Sequence, residues 1–154
     1  MACQQLDAVT HLDETVATEI RTVTVPVKVN VLSDRALCKK MNAVWTPIFA
    51  FVDGDGFEHH RFIGFLPPDE FCAQLHLARA KAAFAKADYA ASGAAYQSIV
   101  DRWPQSDAAP EALYWTGVCD FKLTKNMQTL LDRCKAVPKR YPGHIWAKKL
   151  DFIK

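Results

Sequence analysis

The chain has 154 residues, half of them hydrophobic and 23% charged, with six glycines and eight prolines. This composition excludes a disordered chain and a collagen-like fibre, and the length allows one ordinary domain or two very small ones. The net charge of +2 hides an asymmetry, because residues 1–121 carry 10 Lys and Arg against 15 Asp and Glu, whereas residues 122–154 carry 9 against 2. The basic end suits an acidic partner, but no nucleic-acid-binding motif accompanies it, so nucleic acid is not the expected partner.

The sequence shows no targeting signal, no membrane-spanning segment and no disulfide framework. It contains no run near the roughly 18–20 apolar residues of a membrane span, and its N-terminus lacks the basic and apolar segments of an export signal. We therefore expect a cytoplasmic protein as the chain is written, although a longer parent could be exported. An odd number of cysteines without a C-x-x-C spacing argues against a disulfide scaffold and a zinc ribbon; the five are Cys3, Cys38, Cys72, Cys119 and Cys134.

The first third of the chain predicts helices followed by a strand. Residues 3–10 and 13–21 have helical character, with Asp13 placed to cap the second stretch. Residues 23–31 alternate valine with Thr, Pro, Lys and Asn, which is the period of two expected of a half-buried strand. A short helix should follow and end near Met41, with Ser33 or Asp34 as its cap.

A hairpin is predicted next. Residues 48–52 are a short apolar run typical of a buried strand, residues 53–56 (Asp-Gly-Asp-Gly) favour a turn, and residues 57–65 are the return strand. The turn lacks the ligand pattern of a calcium loop. His59 and His60 point to opposite faces of a strand, and Cys72 with His76 supplies only two ligands, so we expect neither a metal nor a cofactor.

This order of elements resembles the later two thirds of a thioredoxin fold over about residues 1–85. The most specific segment is WTPIFAFVDGDGFEHHRFIGFLPPDEF, in which Thr46-Pro47 is similar to the family's cis-proline dipeptide and Gly64 to the glycine that ends its last strand. In that family the cis-proline loop receives the substrate backbone beside the redox dithiol. The resemblance therefore implies that Thr46 and Pro47 belong to the active site and that Trp45 contacts the client.

The resemblance also suggests a role for Cys3. Cys3-Gln4-Gln5-Leu6 is similar to the second cysteine of the family's C-x-x-C motif and the residues after it, so the sequence is expected to start inside that motif, with the nucleophilic cysteine one residue before Met1. The alternative is that Cys3 is an unremarkable residue near a frayed terminus. The family's central strand precedes the motif; without it, segments 23–31 and 47–52 must pair directly, borrow a strand or expose unpaired edges.

The second half predicts helices at 68–87, 89–103, 107–123, 127–141 and 144–153, with Pro138 expected to kink or shorten the fourth. Trp103-Pro104 recurs as Tyr141-Pro142 at an offset of 38, which indicates repeated helical hairpins. The segment from residue 84 to 117 resembles tetratricopeptide repeats, and on that basis Tyr114 and Trp115 are candidate binding residues. The alternative for these aromatic residues is packing in the core.

We therefore expect a partial α/β thioredoxin-like domain at 1–68, its last helix continuing to about 87, followed by an all-α tetratricopeptide-like segment at 69–154. The central strand of the first part is expected to be absent. The functional hypothesis is a bacterial-type thiol-disulfide oxidoreductase whose repeats bind protein or peptide clients, impaired because one cysteine is missing. The rival hypothesis is a redox-inactive adaptor that only binds protein, and the oligomeric state stays open.

Overall fold

A computed structural model describes residues 1–153, and the chain divides into two compact units. The first is Met1–Leu75 and the second begins at His76. This division falls inside the helix Pro68–Ala85. In residues 1–153 no helix is long and apolar enough to cross a membrane.

The first unit begins with short helices. Helix α1 (Ala2–Gln5) passes directly into a π-helical segment (Leu6–Thr10), and α2 (Glu14–Val23) and α3 (Arg35–Lys40) follow. The Asp13 side chain accepts a hydrogen bond from the amide of Val16 at 3.0 Å, and that of Asp34 accepts from Leu37 at 3.0 Å. Both carboxylates therefore cap a helix start, where amide groups lack intrahelical partners.

The predicted hairpin is confirmed. Strand β1 (Ile48–Val52) pairs antiparallel with β2 (Glu58–Ile63), with Ile48 opposite Ile63 and an irregularity after Phe51. On one face of this hairpin, Phe49 stacks on Phe62 with ring centroids 4.7 Å apart, and Phe71 meets both rings edge-on at 5.0 and 5.5 Å. These three rings are the aromatic core of the first unit, since such pairs add to ordinary apolar burial.

The predicted strand at 23–31 does not form. The sheet has two strands, β1 and β2, and residues 24–30 have no regular secondary structure. Val25 and Val27 are 90% and 79% exposed. The alternation of valine is present, but a strand exists only where a neighbouring strand supplies its hydrogen bonds, and none lies beside this segment in the described part of the chain.

The second unit is helical. Helix α4 (Pro68–Ala85) crosses the division, and α5 (Tyr89–Arg102), α6 (Ala108–Thr124), α7 (Met127–Arg140) and α8 (Ile145–Lys149) follow. Alanine and glycine let these helices approach closely: a Cβ on Gly117 would lie 2.7 Å from the Cβ of Arg133, and one on Gly93 would lie 3.2 Å from that of Cys119. Several alanines of the same helices, among them Ala95, Ala109 and Ala112, are also buried.

One of the last two helices has the predicted end and the other does not. Helix α7 ends at Arg140, one residue before the predicted end, so Pro138 does not shorten it, and Cys134 and Val137 in its last turns are buried. Helix α8 ends at Lys149 rather than near residue 153. Phe152 is 78% exposed, so no apolar burial supports a further turn of helix there.

Candidate functional site

The tripeptide Trp45-Thr46-Pro47 lies directly before β1. The Thr46–Pro47 peptide bond is cis, the geometry that the resemblance implied. Pro47 is buried, and its carbonyl oxygen accepts a hydrogen bond from the amide of Gly64 at 2.8 Å. Trp45 is 69% exposed and Thr46 is also exposed. The loop thus presents an indole and a hydroxyl to solvent from a backbone anchored to the hairpin.

Arg61 holds the chain that leads into this loop. From the middle of β2, its guanidinium donates to the carbonyl oxygens of Met41 at 2.6 Å and Asn42 at 3.2 Å, and its Nε donates to Glu58 at 2.6 Å. The Arg61 hydrogen bond lowers the pKa of Glu58, and Glu58 in turn raises the pKa of Arg61. Sequence reasoning missed this anchor, because its carbonyl partners lie about 20 residues away and leave no local pattern.

Cys3 lies on α1 and is exposed. Its neighbouring segment packs against the hairpin region: Thr10 is fully buried and donates its hydroxyl to the carbonyl oxygen of Leu66 at 2.5 Å. The His11 ring lies edge-on 6.5 Å from Phe49 and 6.4 Å from Phe71. The aromatic core therefore links the N-terminal segment and the strand that follows Pro47, although no hydrogen bond joins Cys3 to the loop within residues 1–153.

The hairpin turn is held by Asp53. Its carboxylate accepts from the amides of Phe57 at 2.9 Å and Asp55 at 3.1 Å, and lies 2.8 Å from Nε2 of His59. The hydrogen bond from His59, followed by that from Phe57, lowers the pKa of Asp53. His60 instead contacts Gln74 at 2.6 Å. The two histidines thus have separate polar partners, and the described residues contain no group of three or more metal-binding side chains.

The second unit contains a continuous row of aromatic rings. Trp115 lies 5.0 Å from Phe84, 6.1 Å from Tyr96 and 5.5 Å from Tyr114, and Tyr114 stacks on Trp146 at 5.2 Å. Tyr96 is buried, which raises the pKa of its hydroxyl. Tyr114 and Trp115 are only half-buried.

The cysteines at the centre of the helical unit, Cys119 and Cys134, are in an environment that disfavours the nucleophilic thiolate. Cys119 and Cys134 are free thiols, both fully buried. Burial raises the pKa of both thiols, and the weak hydrogen bond from Cys119 to Ser92, 3.5 Å long, offsets this effect only in part. Because the thiolate is the reactive form, the exposed Cys3 is the better candidate for thiol chemistry.

Comparison with known proteins agrees with the fold of the first unit. The family model of the thioredoxin-like domain matches residues 1–79. No curated protein and no solved structure matches the chain. The matched region is half of the chain and contains Cys3, Trp45, Thr46, Pro47 and the hairpin. The chain therefore belongs to the thioredoxin-like domain family.

Proposed function

We propose that this chain binds polypeptide clients and that its chemistry is thiol-disulfide exchange through Cys3. The observation that carries the proposal is the family match over residues 1–79, which includes both the exposed thiol and the exposed Trp45-Thr46 dipeptide. An exposed indole offers an apolar contact for a client, and a hydroxyl offers a hydrogen bond.

The reaction available to one thiol is the first half of exchange. The Cys3 thiolate attacks a client disulfide, the client S–S bond breaks, a mixed disulfide forms, and the other client sulfur leaves as a thiolate. A second thiol at the site would attack that mixed disulfide and release a reduced client. Cys3 corresponds to the second cysteine of the family motif, and residues 1–154 contain no pair of cysteines with C-x-x-C spacing. We therefore expect residues 1–154 to trap clients rather than to turn them over.

The helical unit is proposed to select the client. Its paired helices and the 38-residue recurrence support tetratricopeptide-like hairpins, and the half-buried Tyr114 and Trp115 would supply aromatic contact area at a small cost in side-chain entropy. The half-buried aromatic rings also favour a second candidate function. In that case the chain is a redox-inactive adaptor that binds protein through Tyr114 and Trp115 without using Cys3.

The test compares three proteins in disulfide reduction of insulin and in covalent capture of a labelled peptide disulfide. The proteins are the chain as printed, its Cys3→Ser variant, and a form extended upstream by the family's strand and a cysteine directly before Met1. We expect reduction only with the extended form, and capture by the printed chain that Cys3→Ser abolishes.

Cys38→Ser is the matched control, because Cys38 is the other thiol of the chain that is not buried; capture should persist in this variant. Capture that is unchanged in Cys3→Ser would contradict thiol chemistry at this site. If the extended form also fails to reduce insulin while noncovalent client binding is lost in a Trp115→Ala variant, the adaptor function is correct.

A further inference from the structure

Four partly exposed aromatic rings contact one another in sequence across α4, α6 and α8. Phe84 lies 5.0 Å from Trp115, and Trp115 lies 5.5 Å from Tyr114, measured between ring centroids. Tyr114 in turn stacks on Trp146 at 5.2 Å. All four side chains are half-buried, and we call them the ring surface. Three steps of this length span at most about 16 Å, which is the reach of about five residues of extended chain.

The second unit also buries aromatic rings of the same size. Tyr96 is 1% exposed and Trp103 is 7% exposed, so the core of this unit accepts whole rings. The ring surface instead keeps part of its apolar area in water, and tyrosine and tryptophan are enriched where proteins contact each other. The ring surface is therefore suited to a polypeptide partner.

The ring surface belongs to a basic unit. Residues 76–154 contain 13 Lys and Arg against 7 Asp and Glu, whereas residues 1–75 contain 6 against 10. Helices α7 and α8 carry six Lys and Arg against one Asp, and within the described residues none of these six cations forms an ion pair. Four of the six lie in the last turn of a helix, where they complement the helix dipole, but the dipole does not cancel the net charge. An acidic partner is therefore favoured.

Lys149 brings this positive charge to the ring surface. Its ammonium nitrogen lies 4.3 Å from the centroid of the Trp146 ring, and the residue is exposed. The cation–π contact holds the ammonium beside the rings, so pairing with an incoming carboxylate costs less side-chain entropy than it does for an unrestrained lysine. One turn before Phe84, by contrast, Lys81 already pairs with Glu111 at 3.0 Å. The available positive charge is therefore at the Trp146 end.

Nucleic acid fits these contacts less well than a polypeptide does. Bases bind single rings by stacking on an open aromatic face, and the Trp146 ring already stacks on Tyr114 and lies under the Lys149 ammonium. Apolar side chains of a polypeptide can pack against ring edges as well as faces. The combination of rings and charge therefore favours an acidic polypeptide.

We propose that the ring surface binds an acidic segment of a client polypeptide, with apolar client side chains on Tyr114 and Trp146 and a client carboxylate on Lys149. This proposal names the class of client, and it rests on the client-binding role given above to the helical unit. The positive charge attracts the segment from a distance, and burial of apolar area on the rings retains it. The affinity should therefore fall as salt is added.

The test measures binding of labelled peptides to the full chain by fluorescence anisotropy, under a thiol reductant that keeps disulfide exchange out of the measurement. The first peptide alternates glutamate with leucine around a central phenylalanine, and the second has glutamine in place of every glutamate. We expect the acidic peptide to bind at least about tenfold more tightly at low salt and to lose most of this advantage in about 0.5 M salt.

Variants at Lys149 locate the charge that matters. Lys149→Glu should weaken binding of the acidic peptide about tenfold, because a repulsion replaces an attraction. Lys149→Arg keeps both the charge and the contact with Trp146, so it should bind nearly as well as the unmodified chain. Lys135→Glu is the matched control, since Lys135 is exposed on α7 and lies over no aromatic ring in the described residues. Equal losses in Lys149→Glu and Lys135→Glu would overturn the proposed site.

Photo-crosslinking gives a second readout that needs no variant to fold. An acidic peptide with a photoactivatable group on its central phenylalanine should crosslink to α6 or α8 of the unmodified chain. Crosslinks confined to the exposed loop at Trp45 in the first unit would overturn the proposal.

The outcomes separate this proposal from the proposed function. Equal affinity for the acidic and the glutamine peptide, lost in Trp115→Ala, would overturn the acidic preference and leave client binding by the rings in place. Absence of binding by both peptides would contradict the client-binding role of the helical unit as well. A single-stranded oligonucleotide that binds more tightly and displaces the acidic peptide would assign the surface to nucleic acid and overturn the proposal.

Discussion

At the scale of single residues, the hairpin turn depends on one carboxylate with three partners. Asp53 accepts from two backbone amides and lies 2.8 Å from His59, and its pKa is below the ordinary value of 3.8 chiefly because of the His59 hydrogen bond. A group whose pKa is lower in the folded than in the unfolded state stabilises the fold above its unfolded pKa. That stability is lost as the pH falls through the folded pKa.

We predict that Asp53→Asn makes stability less sensitive to acid. The variant should start less stable at neutral pH and should show a smaller fall in its urea midpoint than the unmodified chain when the pH is lowered from about 5 to about 2.5. Asp55→Asn is the control, because the Asp55 side chain accepts no hydrogen bond within the described residues. If the urea midpoints of the two variants fall by the same amount when the pH is lowered, the Asp53 carboxylate does not stabilise the fold in the way described.

At the scale of elements, α6 and α7 pack closely at Gly117, which has no side chain. A Cβ on Gly117 would lie 2.7 Å from Cβ of Arg133, an atom fixed to the α7 backbone, whereas a Cβ on Gly93 would meet Cys119 at 3.2 Å. Alanine in either helix gains about 1 kcal/mol of helix propensity over glycine. Steric overlap costs typically about 1–3 kcal/mol when the neighbours must move.

Gly117→Ala should therefore lower the free energy of unfolding relative to Gly93→Ala by about 1–2 kcal/mol. Urea denaturation of both variants, followed by far-ultraviolet circular dichroism, measures this difference. Equal stabilities, or a more stable Gly117→Ala, would show that α7 moves away from the added methyl group at little cost.

At the scale of the whole molecule, the thiols differ sharply in access. Cys3 is exposed and Cys38 is partly so, while Cys72, Cys119 and Cys134 are buried. The buried thiols become accessible only when the surrounding structure opens, and their reaction rates therefore report the stability of each unit.

We predict that two of the five thiols react rapidly with a chromogenic disulfide reagent in the native protein. The other three should react at least about tenfold more slowly, until urea unfolds the chain. Cys3→Ser and Cys38→Ser should each remove one rapid equivalent. A third rapid thiol would mean that one of the helical packings described above is open in solution.

The sequence by itself determined the local structure and the family. The cap at Asp13, the hairpin turn and the approximate bounds of α4 to α7 follow from chemistry within a few residues, whereas the sequence left Ser33 and Asp34 open as the cap of α3, and the structure selects Asp34. The segment around Trp45-Thr46-Pro47 carries the family resemblance that the comparison supports. Tertiary structure decided the rest. The valine pattern at 23–31 predicts a strand, but a strand needs a neighbour, and that neighbour is set by the whole unit and not by the segment. In the same way, the anchoring of Met41 and Asn42 by Arg61 joins residues about 20 positions apart, and the end of α8 depends on whether Phe152 finds apolar surface to cover.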